Sequence, residues 1–387
     1  MKLNESDFKE RGRSLGKRGK GALFRMEITM QTSKGNEGSK VITIYDIAKE
    51  AGVSAATVSR VLTKSANVRP EKKEKVMELV RKYNFKPNAL AKGLADTKSK
   101  VIGILTADVR NPYYAELFVA CEQAARKAGY SVLLFNTMGE LEMEKQMLER
   151  LQAQQVDAII QMGGRVDDLI SNMEYVELVN QVMASVPVVV TGKLEGTQCS
   201  MVRIDSMAAM DLLMNHLVGL GHERIAFLGG RMDVLSTYEK ILRYKLILKE
   251  HNLSYDPELV MEGGYDEKDG YNEKCGYELM NRLFDKKIRV TAVIAVNDFA
   301  AAGIMRSILE HGLKIPQDIS LVSFDNTYIA DLMIPRLTST DYDYEEFGKA
   351  LVNRAIEEIN GGERRQLITV TPSLVKRESS GAAPKAV

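Results

Sequence analysis

The sequence predicts a multidomain protein: a small all-α N-terminal unit followed by an α/β core of two Rossmann-like lobes with parallel sheets. Three observations carry this expectation. Residues 43–62, TIYDIAKEAGVSAATVSRVL, hold two short helical patterns on either side of a glycine. From Lys100 onward, short apolar runs alternate with helical stretches of ten or more residues, the pattern of parallel strands joined by right-handed crossovers. Such units are too numerous for one small sheet. Charge is also unevenly spread: the net is +1, but residues 1–100 carry about +12 and the remainder about −11. At 387 residues the chain has room for two or three domains and a sizeable core.

The N-terminal elements follow from spacing. Thr43 with Asp46 three residues on is a capping-box start. Ile44, Ile47 and Ala48 fall at i, i+3 and i+4, one buried helical stripe. Gly52 supplies the positive φ of a tight turn. Ser54 caps a second helix in which Ala55, Val58 and Leu62 keep helical spacing. Two short helices about a glycine turn form a helix-turn-helix, whose second helix enters the DNA major groove. Pro70 suits the first position of a third helix, with Val76, Leu79, Val80 and Tyr83 as its apolar stripe. The second helix presents Ala56, Thr57, Ser59 and Arg60. The Arg60 guanidinium can donate two bonds to O6 and N7 of guanine, the alternative being a phosphate contact. Ala55 and Ala56 are small enough to touch only thymine methyls. Thr43, Tyr45, Ser54, Thr57 and Asn67 are expected to position phosphates. A basic head on an acidic body suits a polyanion-binding head whose body is repelled from the phosphates.

As a string, YDIAKEAGVSAATVSRVL closely resembles the headpiece of the LacI/GalR family of bacterial transcription regulators. The resemblance implies that Arg60 reads a G·C pair and that Ala55 and Ala56 stand where the family varies operator preference. It also implies a hinge at 88–98 that folds only on operator DNA. Asn88 and Ala91 then meet DNA with it, and Leu94 wedges into the minor groove, unstacking a base step and bending the duplex. Gly93 lowers helix propensity there, consistent with folding on demand. Family members often carry a serine or threonine cap where Arg69 stands. Residues 1–40, rich in Lys, Arg, Gly and Ser, have no sustained apolar period and read as a disordered basic extension. The family's chains usually begin near the equivalent of Val41. The extension is therefore either a basic arm adding nonspecific DNA affinity or a sign that translation starts at Met26 or Met30.

GLGHERIAFLGG (219–230), AVNDFAAAGIM (295–305) and ISLVSFDN (319–326) resemble the family's effector domain, which has the periplasmic sugar-binding-protein fold. The resemblance spans about 41–377. The expected domains are a headpiece over 41–87, the hinge, and an effector-binding and dimerisation core over 99–387. Within that core, an N-lobe is expected at about 99–191 and 326–341, and a C-lobe at about 192–325 and 342–378. Ligands in such folds sit beyond the carboxyl ends of the strands, here the cleft between lobes. Asn111, Tyr113 and Tyr114 follow the first strand and are expected to line it, with Asp325 and Tyr342 near the lobe crossovers. Asp298 matches the family's cleft aspartate; it could equally cap a helix beginning at Phe299. Tyr265 matches an aromatic that stacks on a sugar ring. The family commonly has R-L-x-G-Y where this chain has Lys240-Ile-Leu-Arg243-Tyr244. Lys240 and Arg243 share a helix face, so either could reach the cleft. Two cations there would suit an acidic or phosphorylated sugar.

Other classes fit poorly. The four histidines are scattered, without HExxH, GxSxG or Walker A strings, so no catalytic residue is expected. Cys121, Cys199 and Cys275 are odd in number and lack metal-ligand spacing, which points to a reducing compartment with no metal or other cofactor. Nothing reaches a transmembrane length, so a cytoplasmic location without membrane partners is expected. The reading is a repressor of double-stranded operator DNA controlled by a small molecule, a sugar first. A purine, nucleoside or phosphoprotein co-regulator, or a sugar-binding module without regulatory role, are the alternatives. The tail SSGAAPKAV has no leucine heptads, so a homodimer is expected rather than a tail-made tetramer.

Overall fold

The computed structural model describes residues 42–63, 68–85, 98–263 and 270–384. The chain divides into two compact units, Met1–Asn88 and Ala89–Val387.

The first unit holds helices α1 (Ile44–Ala51), α2 (Ala55–Thr63) and α3 (Pro70–Lys82). At the start of α1 the Asp46 N–H donates to Thr43 Oγ1 at 3.3 Å, and the Thr43 N–H donates to Asp46 Oδ2 at 2.8 Å. This reciprocal pair satisfies donors that a helix N-terminus would otherwise leave free. Gly52 ends the helix at φ 69°, a left-handed conformation that costs glycine little. Ser54 Oγ then accepts from the Thr57 N–H at 3.2 Å. Ile47, Ala48, Ala51, Val58, Val61, Val76 and Leu79 close a three-helix core. Arg69 precedes α3 without a side-chain cap, and Pro70 fills the first helical position. Glu50 accepts from Lys82 Nζ at 2.8 Å and from the Tyr83 hydroxyl at 2.7 Å, tying the end of α1 to the end of α3.

The second unit contains two six-stranded sheets. The first is built from β1 (Val101–Thr106), β2 (Ser131–Asn136), β3 (Ala158–Met162), β4 (Val188–Val190), β5 (Ser200–Ile204) and β11 (Leu367–Val370), ordered β11-β5-β4-β3-β1-β2. The second is built from β6 (Ile225–Leu228), β7 (Val260–Met261), β8 (Ala292–Ala295), β9 (Ser320–Phe324), β10 (Thr338–Asp341) and β12 (Ser373–Val375), ordered β12-β10-β9-β8-β6-β7. Every pairing is parallel except β10 with β12. Helices α4 (Pro112–Lys127), α5 (Leu141–Ala153) and α6 (Met173–Met183) belong to the first lobe. Helices α7 (Ser206–Gly219), α8 (Leu235–Glu250), α9 (Glu273–Asp285), α10 (Asp298–Glu310) and α11 (Tyr328–Leu332) belong to the second. Strands β4, β6 and β8 are apolar and buried along their whole length because both faces of the sheet are covered there, as parallel sheets require.

The expected lobe boundaries need correction. β5 pairs with β4 and β11, so the first lobe runs on to Ile204 rather than ending at 191. Residues 326–341 belong to the second lobe, because β10 pairs with β9. The stretch 342–378 is divided. α12 (Tyr344–Ile359) buries Phe347, Leu351, Val352 and Ala355 in the first lobe's core, and β11 joins that lobe's sheet. β12 then returns to the second lobe. Three crossovers therefore link the lobes, after Ile204, after Asp341 and after Val370. Periodicity identifies a strand but not the sheet edge it joins.

Candidate DNA-reading surface and effector cleft

In the first unit, α2 turns Val58 and Val61 into the core and leaves Ala56 and Arg60 exposed, with Thr57 and Ser59 half-buried beside them. Ala55 is half-buried against the core and Ser54 exposed at the helix start. Thr57 Oγ1 lies 2.9 Å from Ser54 Oγ, so both hydroxyls sit at the N-terminus of α2, where free N–H groups and the helix dipole favour a phosphate. Tyr45 is 74% exposed at the N-terminal turn of α1, close in sequence to the exposed Thr43. A short helix carrying an exposed guanidinium and flanked by hydroxyl donors can read a guanine edge while its neighbours hold the backbone. Asn67, Asn88, Ala91 and Leu94, also expected to meet DNA, lie outside the described residues.

The second unit holds a cavity of about 1040 Å³ with walls from both lobes. Asn111 caps α4, its Oδ1 accepting from the Tyr113 N–H at 3.1 Å. That cap places Tyr113 and Tyr114 in the cavity wall, their rings edge-to-face at 5.0 Å. The Tyr114 hydroxyl donates to Asp167 Oδ2 at 3.3 Å. From the second lobe come Lys240, Asp325 and Tyr342, with Tyr342 packed edge-on to Tyr113 at 6.4 Å. Asp325 stands at the end of β9 with φ 99°, a conformation that side chains rarely adopt and that recurs where a fold holds a functional group in place.

Burial dominates the electrostatics. It raises Asp167 to about 6, with the Tyr114 bond and the Arg203 and Arg165 charges opposing. It raises Asp325 also, against the Lys240 ammonium. Burial lowers Lys240, against the charges of Asp325 and Glu239. Lys240 Nζ donates to the Val296 carbonyl at 3.4 Å and lies 3.9 Å above the centre of the Phe324 ring.

Two expected cleft residues are elsewhere. Arg243 faces outward, its Nε donating to Asp211 at 2.6 Å and its Nη1 to Glu250 at 2.8 Å. A 60° rotation around α8 separates it from Lys240, enough to move it from the cleft to the seam with α7. Asp298 is buried beneath the cleft. It accepts from Ser323 Oγ, from Ser339 Oγ at 2.8 Å and from the Thr327 N–H at 2.6 Å. Its neighbour Asn297 supplies the α10 cap and lines the cavity instead. Asp298 therefore holds the Thr327 turn after β9 in place, adjoining Asp325. Tyr265 lies outside the described residues.

Sequence reasoning missed several lining groups. Arg203, at the end of β5, donates from Nη2 to both carboxylate oxygens of Glu239 on α8, at 2.5 and 2.7 Å. This ion pair joins the two lobes. A backbone bond from Leu169 N–H to the Asp233 carbonyl, 2.7 Å, joins them again. Arg165 pairs with Asp168 at 3.1 Å, Arg231 with Asp233, and Arg110 with Asp108 at 2.7 Å. A polar residue at the carboxyl end of a buried parallel strand, as at Arg203, was the available signal.

A helix-turn-helix unit and a two-lobed core around a polar, aromatic cleft together define a ligand-responsive DNA-binding regulator. The chain belongs to the lacI family of bacterial regulatory proteins. The profile of that family matches residues 43–88, and that of the periplasmic binding protein-like domain matches 214–380. Catabolite control protein A of Staphylococcus xylosus is 33% identical over 325 residues, 82% of this chain and 93% of that one. The protein of the same name from Priestia megaterium is 34% identical over 301 residues, 77% and 86% of the two chains. Among solved structures, the lac repressor dimer bound to operator and the anti-inducer ONPF superposes with a TM-score of 0.78 at 27% identity. That match covers 89% of this chain and all of the other. These relatives are regulators, and among the described residues no helix is long and apolar enough to cross a membrane.

Proposed function

We propose that the protein is a cytoplasmic repressor that binds a pseudo-palindromic operator as a homodimer and is gated by a sugar or sugar derivative in the interlobe cleft. The observation that carries this reading is the presence, in one chain, of a reading helix with Arg60 exposed and a cleft whose walls come from both lobes. Arg60 would read guanine, with Thr43, Tyr45, Ser54 and Thr57 on phosphates and Ala55, Ala56 and Ser59 against the base edges. Asn67 would add a further phosphate contact. Asn88, Ala91 and Leu94 would meet the minor groove as a hinge, Leu94 as the wedge. In the core, Asn111, Tyr113, Tyr114, Lys240, Asp325 and Tyr342 would hold the effector, with Tyr265 as a further aromatic wall. Ligand bound between lobes changes their relative angle, and by linkage operator DNA alters effector affinity by the same factor.

The test is binding of the full-length chain to operators selected from random duplexes. If a dimer neutralises on the order of eight phosphates, log affinity falls against log salt with a slope of about −7. A slope near −2 overturns a dimer that engages that many phosphates. Leu94→Ala should weaken selected operators far more than random DNA; equal losses would remove the wedge.

A further inference from the structure

α12 starts beside the cleft and ends at the root of the expected hinge. Its N-terminus follows the crossover after Asp341 and is still fastened to the second lobe. The Tyr344 hydroxyl donates to the Asp325 carbonyl at 2.9 Å, and the Asp343 N–H donates to Asp341 Oδ2 at 3.1 Å. Asp325 lines the cleft, and the Tyr344 ring sits edge-on to Tyr113 and Tyr342, at 6.0 and 6.4 Å. The helix runs 16 residues, about 24 Å at about 1.5 Å per residue, and ends at Ile359. There Lys98 Nζ donates to the Ile359 carbonyl at 3.4 Å and to Asn360 Oδ1 at 2.7 Å. That carbonyl is one of those a helix C-terminus leaves without an intrahelical donor, and a cation there also complements the helix dipole.

Lys98 is the last residue of the expected hinge, and the chain is fixed to the core immediately after it. Asp157, just before β3, accepts from the Ser99 N–H at 2.7 Å, the Ser99 hydroxyl at 2.8 Å and the Lys100 N–H at 3.0 Å. The direction in which the chain leaves that anchor is therefore set at Lys98, and the end of α12 holds Lys98. Between its ends α12 lies close against α4. A Cβ on Gly348 would come 2.6 Å from Ala120 Cβ and 2.7 Å from Cys121 N, so little side chain stands between the two helices. Packed helices slide past one another by about 1–2 Å in switching transitions. A hydrogen-bonded helix moves as one body, so a displacement at Tyr344 arrives at Lys98.

We infer that Lys98 is a positioning residue for operator binding, and that α12 is the strut through which the second lobe reaches it. Lys98 acts through the hinge, by its hold on Ile359 and Asn360, and not by touching DNA. This rests on the reading of 88–98 as an operator-folded hinge given above. Coupling of this kind is established by energetic linkage between the two ends and not by their lying on one helix.

The experiment measures binding of full-length variants to an operator selected from random duplexes, and to a random duplex, over a range of salt. Lys98→Met and Asn360→Leu should each weaken the operator about tenfold and the random duplex about twofold or less, with the salt slope unchanged. Their double variant should be no weaker than the worse single, because both remove one contact. Asn360→Asp, which keeps an acceptor for Nζ, should stay within about twofold of the unaltered protein. Tyr344→Phe should alter operator affinity about fivefold in the unaltered protein and less than about twofold in the Lys98→Met background, whereas independent sites about 24 Å apart would add. Thermal melting of each variant checks that the core is intact. Equal losses on both duplexes, with a slope shallower by about one, make Lys98 a phosphate contact and overturn the inference. So does full operator affinity in Lys98→Met, additive loss in the double variant, or an undiminished Tyr344→Phe effect in the Lys98→Met background. All of these leave the operator-binding reading intact; failure of the unaltered chain to select any operator overturns that reading, and this inference with it.

Discussion

Asp167 lines the cleft and hydrogen-bonds the Tyr114 hydroxyl there. Burial holds it at about 6, above the ordinary 3.8, so in the ligand-free fold it stays protonated where the unfolded chain is already ionised. Its contribution to stability therefore falls as pH rises from about 4 to about 6 and is level beyond. A ligand hydroxyl donating to it favours the ionised form, so binding releases a proton below that value. Effector affinity should rise roughly tenfold between pH 5 and pH 7.5 and then level off, which calorimetry in two buffers of different ionisation enthalpy would measure. Affinity that falls over that interval would show the carboxyl acting as a donor instead. At the other unit, Arg60→Ala should cost about 1–3 kcal/mol of operator binding and relax one base position, read by binding to single-substituted duplexes. Arg243→Ala should leave effector affinity unchanged, because its partners are Asp211 and Glu250 on the outer seam. The stability lost with those partly exposed ion pairs should be about 1 kcal/mol or less.

Among the elements, α1 shows how local chemistry carries a short helix. Eight residues cannot sustain a helix in water, so the capping box, the left-handed Gly52 and burial of Ile47 have to act together. Thr43→Ala removes one acceptor and should lower the headpiece's unfolding free energy by about 0.5–2 kcal/mol, measurable by its thermal transition. Close helix packing sets the opposite constraint on α9 and α10. A Cβ on Gly303 would come 1.7 Å from the Glu273 carbonyl oxygen, so the two helices meet backbone to backbone. Gly303→Ala should destabilise the core by about 1–3 kcal/mol in denaturant unfolding. α12 was legible in principle: Phe347, Leu351, Val352 and Ala355 keep helical spacing, although the alternation read from sequence stops at Phe324. Its placement against α4 in the first lobe was not, since spacing names a buried face and not the partner that buries it.

At the scale of the whole molecule, three crossovers join two lobes that each keep their own core, the connectivity on which the proposed change of lobe angle rests. The Leu169–Asp233 backbone bond joins the lobes away from those crossovers in sequence, and the Arg203–Glu239 pair joins them beside the crossover after Ile204, so ligand contacts at either would bias the angle directly. An effector at a hundredfold excess over its dissociation constant should stabilise the core by roughly 2.7 kcal/mol, a shift readily seen in a melting curve. Prebinding operator should move that constant by the factor with which effector moves operator affinity; unequal factors would mean that the two measurements follow different species.

Local rules were sufficient for much of this protein. The capping box, the glycine turn and the apolar stripe of residues 44–62 depend on neighbours within one or two helical turns, and so could be read directly. The same holds for strands β1, β6, β8 and β9, whose apolar runs follow from burial on both faces. Asn111, Tyr113 and Tyr114 were expected at the cavity from their place after the first strand, Asp325 and Tyr342 from theirs near the lobe crossovers, and all five line it. What sequence spacing left open depended on distant packing. Lobe membership came from which sheet edge each late strand joined. Asp298 went beneath the cleft because Ser323, Ser339 and Thr327 converge on it from separate elements. Arg243 went outward because Asp211 on another helix met it first, and Arg203 found Glu239 across the lobes. These are pairings between residues tens of positions apart, decided by the three-dimensional arrangement of charges and volumes that no local period encodes.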